Sequence, residues 1–404
     1  MALVSRKVHA VAQGTTSRMI RYMTAGESHG PALVGIIDGM PAGLQLDVAA
    51  VDAALAARQQ GHGRGGRMKI EADAVEVLAG LRGGRTLGSP LALLIRNRDF
   101  ENNRALMDPI TGGGDPITRP RPGHADYAGG IKYHHRDLRN VLERASARET
   151  AMRVALGEVA RQYLAVFGVT VRSHVVQIGD VAARTLDQLP DIKYIAASPV
   201  RCADADAAVR MMERIDQARA AGDTLGGAFE IRIGQMPVGI GSNRQPWERL
   251  DAVLAAALMS IQTVKAVDVG EGIVSGGFVG SRSHDAFEIR GGAVARPTNR
   301  AGGIEGGMSN GETIIVKARL KPIATLMRPL DSVDVATGAA TKAAVIRSDV
   351  CSVPAASLIG EAMVCLTLAG PVSDKYGGDS IEEVAEHFAS SQHMARELFQ
   401  SPQQ

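Results

Sequence analysis

From Val169 onward, strand-like and helix-like segments alternate, and neither a repeat of roughly 20 to 50 residues nor a linker interrupts them. That alternation restricts the chain to a mixed helix-and-strand body with no clean internal boundary. The patterns predict strands over 171–178, 228–233 and 312–320, and helices over 204–220, 246–259 and 355–368. Upstream, 32–37 reads as a strand and 91–95 as a buried one. Residues 47–60 read as a helix with Asp47 as N-cap, Val48, Val51 and Leu55 as its apolar face and Gly61 beyond its end. A further helix opens within 143–150 and carries Met152, Ala155, Val159, Tyr163 and Val166 at three- and four-residue spacing up to Gly168. Ser146 and Glu149 are spaced as a capping box, and the same small-residue start can turn backbone N–H groups toward a phosphate.

The chemistry lies between these elements. Gly26-Glu27-Ser28-His29-Gly30 reads as a turn entering the strand at Ala32, a place where catalytic groups often sit and where a solvated turn histidine is equally at home. Residues 58–67 hold Arg58, Arg64, Arg67 and His62 among four glycines and no acid, a composition suited to a small molecule with several negative groups. A merely mobile Arg-Gly segment, or an RNA-binding tract, has the same composition. The stretch 99–126 is expected to be a long loop. Within it two prolines stiffen Arg119, Arg121 and His124, and a surface turn with His124 bonded to Asp126 is the plain alternative. Five glycines over 302–311 suit a tight loop near a ligand, Lys321 and Thr325 close a strand, and Arg347 and Asp349 are spaced to share one face or to form a surface ion pair.

Composition removes several classes. In 404 residues, 45 Lys and Arg against 43 Asp and Glu give a net charge of +2, and aromatics make up 3%, which argues against a nucleic-acid binder built on a basic, base-stacking surface. No Gly-x-Gly-x-x-Gly fingerprint opens a helix near the start, which argues against a dinucleotide oxidoreductase with net electron transfer. No apolar run approaches the ~20 residues that span a bilayer, so no membrane association is expected. Cys202, Cys351 and Cys365 lack metal-ligand spacing and suit reduced thiols in a cytoplasmic setting, without disulfide or metal site. Residues 1–18 contain Arg6, Lys7 and Arg18 and no acid. They have a faint transit-peptide composition but are expected to be a disordered extension before a single domain over 19–404.

In order and across nearly the whole chain, Gly26 to Gly30, Gly61 to Gly65, Arg119 to Asp126, Arg144 to Thr150, Gly302 to Gly311 and Arg347 to Asp349 resemble the chorismate synthase family. The resemblance implies an α+β fold, a βαβ sandwich with helices packed between antiparallel sheets, assembled as a homotetramer. It implies anti-1,4-elimination of phosphate from 5-enolpyruvylshikimate 3-phosphate, giving chorismate and requiring reduced FMN without net redox change. By the same resemblance His29 assists phosphate departure, His124 lies by the flavin, and Asp349 helps move the proton taken from the substrate. Ser28, Arg64, Arg67, Arg121 and Arg347 would contact substrate. FMN would be held by Arg144, Ala145, Ser146, Gln262, Thr263, Gly306, Lys321, Pro322, Ile323, Ala324, Thr325 and Arg347. Arg58 and Arg64 match positions linked to NADPH, and an external flavin reductase is the alternative electron source. The chain departs from the family pattern at His62, Gln262, Thr263, Ala266 and Ala324.

Overall fold

The computed structural model describes residues 20–65, 71–291, 293–345 and 348–398, so the expectation for 1–18 lies outside the described residues. A first sheet contains β1 (Arg21–Ala25), β2 (Ala32–Asp38), β3 (Glu76–Ala79) and β4 (Leu91–Arg96), with burial alternating along β2 and β4. Leu33 and Ile37 of β2 and Leu91, Leu93 and Ile95 of β4 point to one buried face, as a two-residue period requires. The order is β1-β2-β4-β3, antiparallel throughout. A second antiparallel sheet contains β5 (Thr170–Ile178), β6 (Val181–Ala182), β7 (Gly227–Gly234), β8 (Val264–Val269) and β9 (Ile314–Leu320), ordered β8-β9-β7-β5-β6.

The main helices are α1 (Val48–Gln59), α2 (Phe100–Met107), α3 (Asp126–Tyr133), α4 (Arg139–Ala145), α5 (Thr150–Ala165), α6 (Ala205–Ala220), α7 (Leu250–Met259), α8 (Val353–Tyr376) and α9 (Ile381–Leu398). Helices α5 and α8 lie between the sheets and bury most of their residues. Three glycines mark the layer contacts. A Cβ added at Gly35 of β2 would lie 2.5 Å from Met152 Sδ on α5, one at Gly157 of α5 would lie 2.4 Å from Ala362 Cβ on α8, and one at Gly360 of α8 would lie 2.6 Å from the Phe229 ring on β7. Glu361 adds a polar tie, accepting from Ser173 N (2.8 Å) on β5 and from Arg161 Nη2 (2.6 Å) on α5. Helix α8 has the length and composition of a membrane span, but 89% of its most apolar stretch is buried inside this fold.

Most expected elements are present with ends within two residues, and Asp47 caps α1 by accepting from Ala50 N. The loop expected over 99–126 is corrected: α2 occupies 100–107, anchored by buried Phe100, because the Gly and Pro content is confined to the part beyond it. The helix expected to open within 143–150 is two helices. Helix α4 ends at Ala145, Ser146 is extended (φ −62°, ψ 142°), a 3-10 turn covers 147–149, and α5 starts at Thr150. Ser146 caps Arg148 N, while Glu149 reaches away to Arg153 and Gln262 instead of completing the box. Helix α8 runs through Gly370 and Pro371 to Tyr376, since packing on all sides overrides the local breaker.

Replacing Gly157 with Ala drives a methyl into the Ala362 backbone, and we expect a loss of about 1–3 kcal/mol in stability. A lowered denaturant midpoint with unchanged slope is the readout. An unchanged midpoint would show that α5 and α8 separate without cost.

Candidate active site

The turn before β2 is held from three sides. Asn97, just past β4, donates from Nδ2 to Gly30 O (2.7 Å) and Glu27 O (3.1 Å). Arg148 Nε fixes Asn97 from behind (2.9 Å), and Arg148 is itself buried against Asp73 (2.7 Å) and Glu71 (3.7 Å). From α4, Arg144 donates to Gly26 O (3.1 Å), Thr24 O (2.9 Å) and Thr24 Oγ1 (2.9 Å). The chain must pass Gly26 at φ +111°, where a Cβ would lie 2.4 Å from Ala32 O, so only glycine fits.

Glu143 sits under this turn, 4% exposed. Its Oε2 accepts from the His29 backbone N–H (2.8 Å), its Oε1 lies 2.9 Å from His29 Nδ1, and its carbonyl accepts from Ser28 N (3.1 Å). A carboxylate only accepts, so Nδ1 carries hydrogen, and Nε2 stands 3.9 Å from Asp99 Oδ2. The sequence reading did not find Glu143, Asp99 or Asn97. Their signal was indirect, since a histidine in a polar turn needs an orienting acid and that acid lies 114 positions away.

The α4–α5 break gathers further groups. Arg58, at the end of α1, donates to Thr150 Oγ1 (2.8 and 3.1 Å) and Ala147 O (2.8 Å), while its buried Nη1 has no hydrogen-bond partner among the described residues. Burial, with Arg64 and Arg148 nearby, lowers the Arg58 guanidinium to about 9. Arg64 pairs with Asp349 (2.5 Å), whose other oxygen accepts from Gly65 N (2.6 Å). His62 turns away to Asp216 on α6 (2.8 Å). Gln262 Nε2 donates to Glu149 Oε1 (2.8 Å), and Thr263 O accepts from Lys321 N (2.9 Å).

The second histidine lies in the loop before α3. Arg121, 7% exposed, donates to Asp126 from Nε (2.9 Å) and to Thr325 Oγ1 from Nη1 (2.9 Å), and Asp126 Oδ1 lies 2.6 Å from His124 Nδ1. Burial opposes ionisation of Asp126, but hydrogen bonds from His124 and Arg121 outweigh it and hold the carboxyl well below the usual range. Lys321 Nζ reaches Gly123 O (2.5 Å), which joins this loop to the end of β9. Ile323 O accepts from Thr224 Oγ1 (2.8 Å), so the strap carrying Pro322 and Ala324 is fixed to the second sheet. Gly306, at φ +58°, tips a short hairpin whose Gly307 O accepts from Leu250 N (2.9 Å) at the start of α7, the helix that leads to Gln262.

The structure thus joins Ser28 and His29 to Glu143, Arg144 to the same turn at Gly26, Arg58 to Ala147 and Thr150, and Arg64 to Asp349. Ala145 and Ser146 follow Arg144 at the α4–α5 break. His124 meets Arg121, whose Nη1 reaches Thr325, while Lys321 reaches Gly123 in the His124 loop and Gln262 and Thr263 link the α5 start to the end of β9. Arg67 and Arg347 lie outside the described residues.

A family model described as chorismate synthase matches residues 20–372. A chorismate synthase of Symbiobacterium thermophilum is 52% identical over 384 residues, covering 91% of this chain and 97% of that protein, and one of Moorella thermoacetica is 49% identical over 383 residues, covering 94% and 100%. A crystal structure of chorismate synthase superposes with a TM-score of 0.75 at 35% identity, over 95% of this chain and all of that one. The chain belongs to the chorismate synthase family, whose members convert 5-enolpyruvylshikimate 3-phosphate to chorismate and phosphate.

Proposed function

We propose that the chain performs this elimination with His29 as the acid toward the departing phosphate. The observation that carries the assignment is the double grip of Glu143 on His29, at the backbone N–H and at Nδ1, which orients the ring and leaves Nε2 to work. A phosphate monoester leaves poorly unless its oxygen is protonated or met by cations, and a doubly protonated imidazole aimed from a rigid turn provides both. Ser28, 2% exposed in the same turn, is the adjoining substrate contact in this reading. Arg64, Arg67, Arg121 and Arg347 supply the positive field for two carboxylates and a phosphate. Asp349, held by Arg64 and Gly65 N–H, receives the proton removed from the substrate carbon at Oδ. His124, held at Nδ1 by Asp126, orients the cofactor with Nε2.

The residues fit a flavin. Gln262 Oε1, Thr263 Oγ1 and Arg58 Nη1 are buried polar atoms without hydrogen-bond partners among the described residues, and such atoms in native folds call for a ligand or water. Thr263 is held at φ +73°, a conformation β-branched residues seldom adopt and one that clusters at ligand sites. When bound, reduced FMN supplies electron density to the allylic system without net redox change. Arg144, Ala145, Ser146, Gln262, Thr263, Gly306, Lys321 to Thr325 and Arg347 hold it in this reading, while Arg58 and Arg64 serve NADPH if the chain reduces its own flavin. Homotetramer assembly is supported by the exposed apolar side chains Ile273, Val279, Phe287, Ile289 and Val294, which a further copy would cover. Cytoplasmic placement is supported by three buried free thiols.

The direct test is anaerobic turnover of 5-enolpyruvylshikimate 3-phosphate with chemically reduced FMN, followed as chorismate and phosphate, then with oxidised FMN plus NADPH. Product in the first arm is expected. Product in both arms assigns flavin reduction to the chain, and product in the first alone assigns it to an external reductase.

His29→Ala and Glu143→Gln should each lower kcat by ~10² to 10⁴ with the circular dichroism spectrum unchanged. Near-normal turnover in folded His29→Ala would remove the acid role.

Asp126, depressed in the folded state, stabilises the protein above its unfolded value of about 4, and that contribution fades as pH falls toward its folded value. Asp126→Asn should therefore destabilise the protein at pH 7, and the gap to the parent should shrink below about pH 4. A gap independent of pH would assign the loss to packing alone.

A further inference from the structure

Gln262 presents an unusual pair of commitments. Its Nε2 is fixed on Glu149 Oε1 at 2.8 Å, and Glu149 in turn is fixed by Arg153 at 2.7 Å, so the amide cannot turn over without pointing its oxygen at a carboxylate. Its Oε1 is buried, accepts from nothing among the described residues, and has no donor role to fall back on. Next to it, Thr263 Oγ1 is equally buried and unpartnered, on backbone held at φ +73° by the bond from Lys321 N to Thr263 O (2.9 Å). One wall of the site therefore offers an oriented atom that only accepts beside one that donates or accepts.

We propose that Gln262 Oε1 meets the N5 edge of the flavin and thereby makes the site selective for the reduced over the oxidised form, with Thr263 as an anchor indifferent to redox state. The inference rests on the reading above that these two residues line the FMN site. Oxidised isoalloxazine carries a single ring N–H, at N3, and exposes N5 as an acceptor. The reduced ring carries N–H at N5 as well. An oxygen that can only accept, held by a neighbour that blocks its flip, gains a partner when that second N–H is present and faces a repelling lone pair when it is not. The threonine hydroxyl rotates to serve either state, so it adds affinity without preference.

The test measures binding and potential on the full chain, with no turnover required. Dissociation constants for oxidised FMN by fluorescence quenching, and for reduced FMN by anaerobic titration, are compared among the parent, Gln262→Met and Thr263→Val. Gln262→Met is expected to weaken reduced FMN at least tenfold more than oxidised FMN. The midpoint potential of bound flavin should then fall by about 30 mV, the shift a tenfold change brings to a two-electron couple. Thr263→Val should weaken both states alike. In the apo form Thr263→Val should not lower Tm, because it removes a buried polar atom that lacks a partner among the described residues, whereas Gln262→Met also gives up the Nε2 bond to Glu149 and should lower it modestly. Equal weakening of both states by Gln262→Met, or no weakening with the parent binding FMN normally, overturns the selectivity and leaves the flavin site standing. A parent that binds neither form of FMN overturns the site itself. A fall in apo Tm for Thr263→Val would show that its hydroxyl already serves the fold, and would overturn its role as an anchor.

Discussion

The contact between α5 and α8 at Gly157 and Ala362 sets the thickness of the molecule. With these helices at backbone contact, each sheet can rest on one helix and still bury its apolar face, through Met152 and Leu156 on one side and Phe229 and Ile231 on the other. The separation fixes what the strand and helix ends carry. The turn before β2, the C-terminus of α1, the N-terminus of α5, the C-terminus of α7 and the end of β9 are joined to one another by hydrogen bonds, and these five ends supply the site. Helix packing that admits no extra methyl thus keeps groups from distant parts of the sequence within hydrogen-bond reach.

Three arginines and a histidine of the site each have an acid beside them before any polyanion arrives. Arg121 has Asp126, Arg64 has Asp349, Arg148 has Asp73, and His29 has Glu143. Each pair is at least partly buried, where removing one partner leaves the other uncompensated. The arrangement gives up raw positive charge and gains fixed direction, which is what stabilising a departing phosphate requires. Arg58 differs, with one buried nitrogen unpartnered among the described residues and two other arginines nearby.

Much of this was legible in order along the chain. Glycine at 26 and the stripe from Met152 to Tyr163 express local rules of turn geometry and helical period, and the structure places them as those rules require. The break at Ser146 was not legible, because Glu149 is claimed by Arg153 and by Gln262, 113 positions away. Glu143 was hidden for the same reason: nothing near it in sequence says that it will lie under His29. Helix α8 ran past a Gly-Pro pair that local propensity reads as a stop, since its environment is apolar on every side. Long-range partners, rather than weak local signals, account for what the residues alone did not disclose.

The three cysteines are all buried, and burial pushes the thiols of Cys351 and Cys365 up to about 12. At neutral pH such a thiol is ionised only on the order of one part in 10⁵, and the thiolate is the form that peroxide attacks. Reduced flavin in air yields peroxide, so in the reading proposed above the site lies beside a source of oxidant. With its sulfhydryls sealed in the core in protonated form, this fold can tolerate that by-product where a surface thiol would climb toward sulfenic and sulfinic acid.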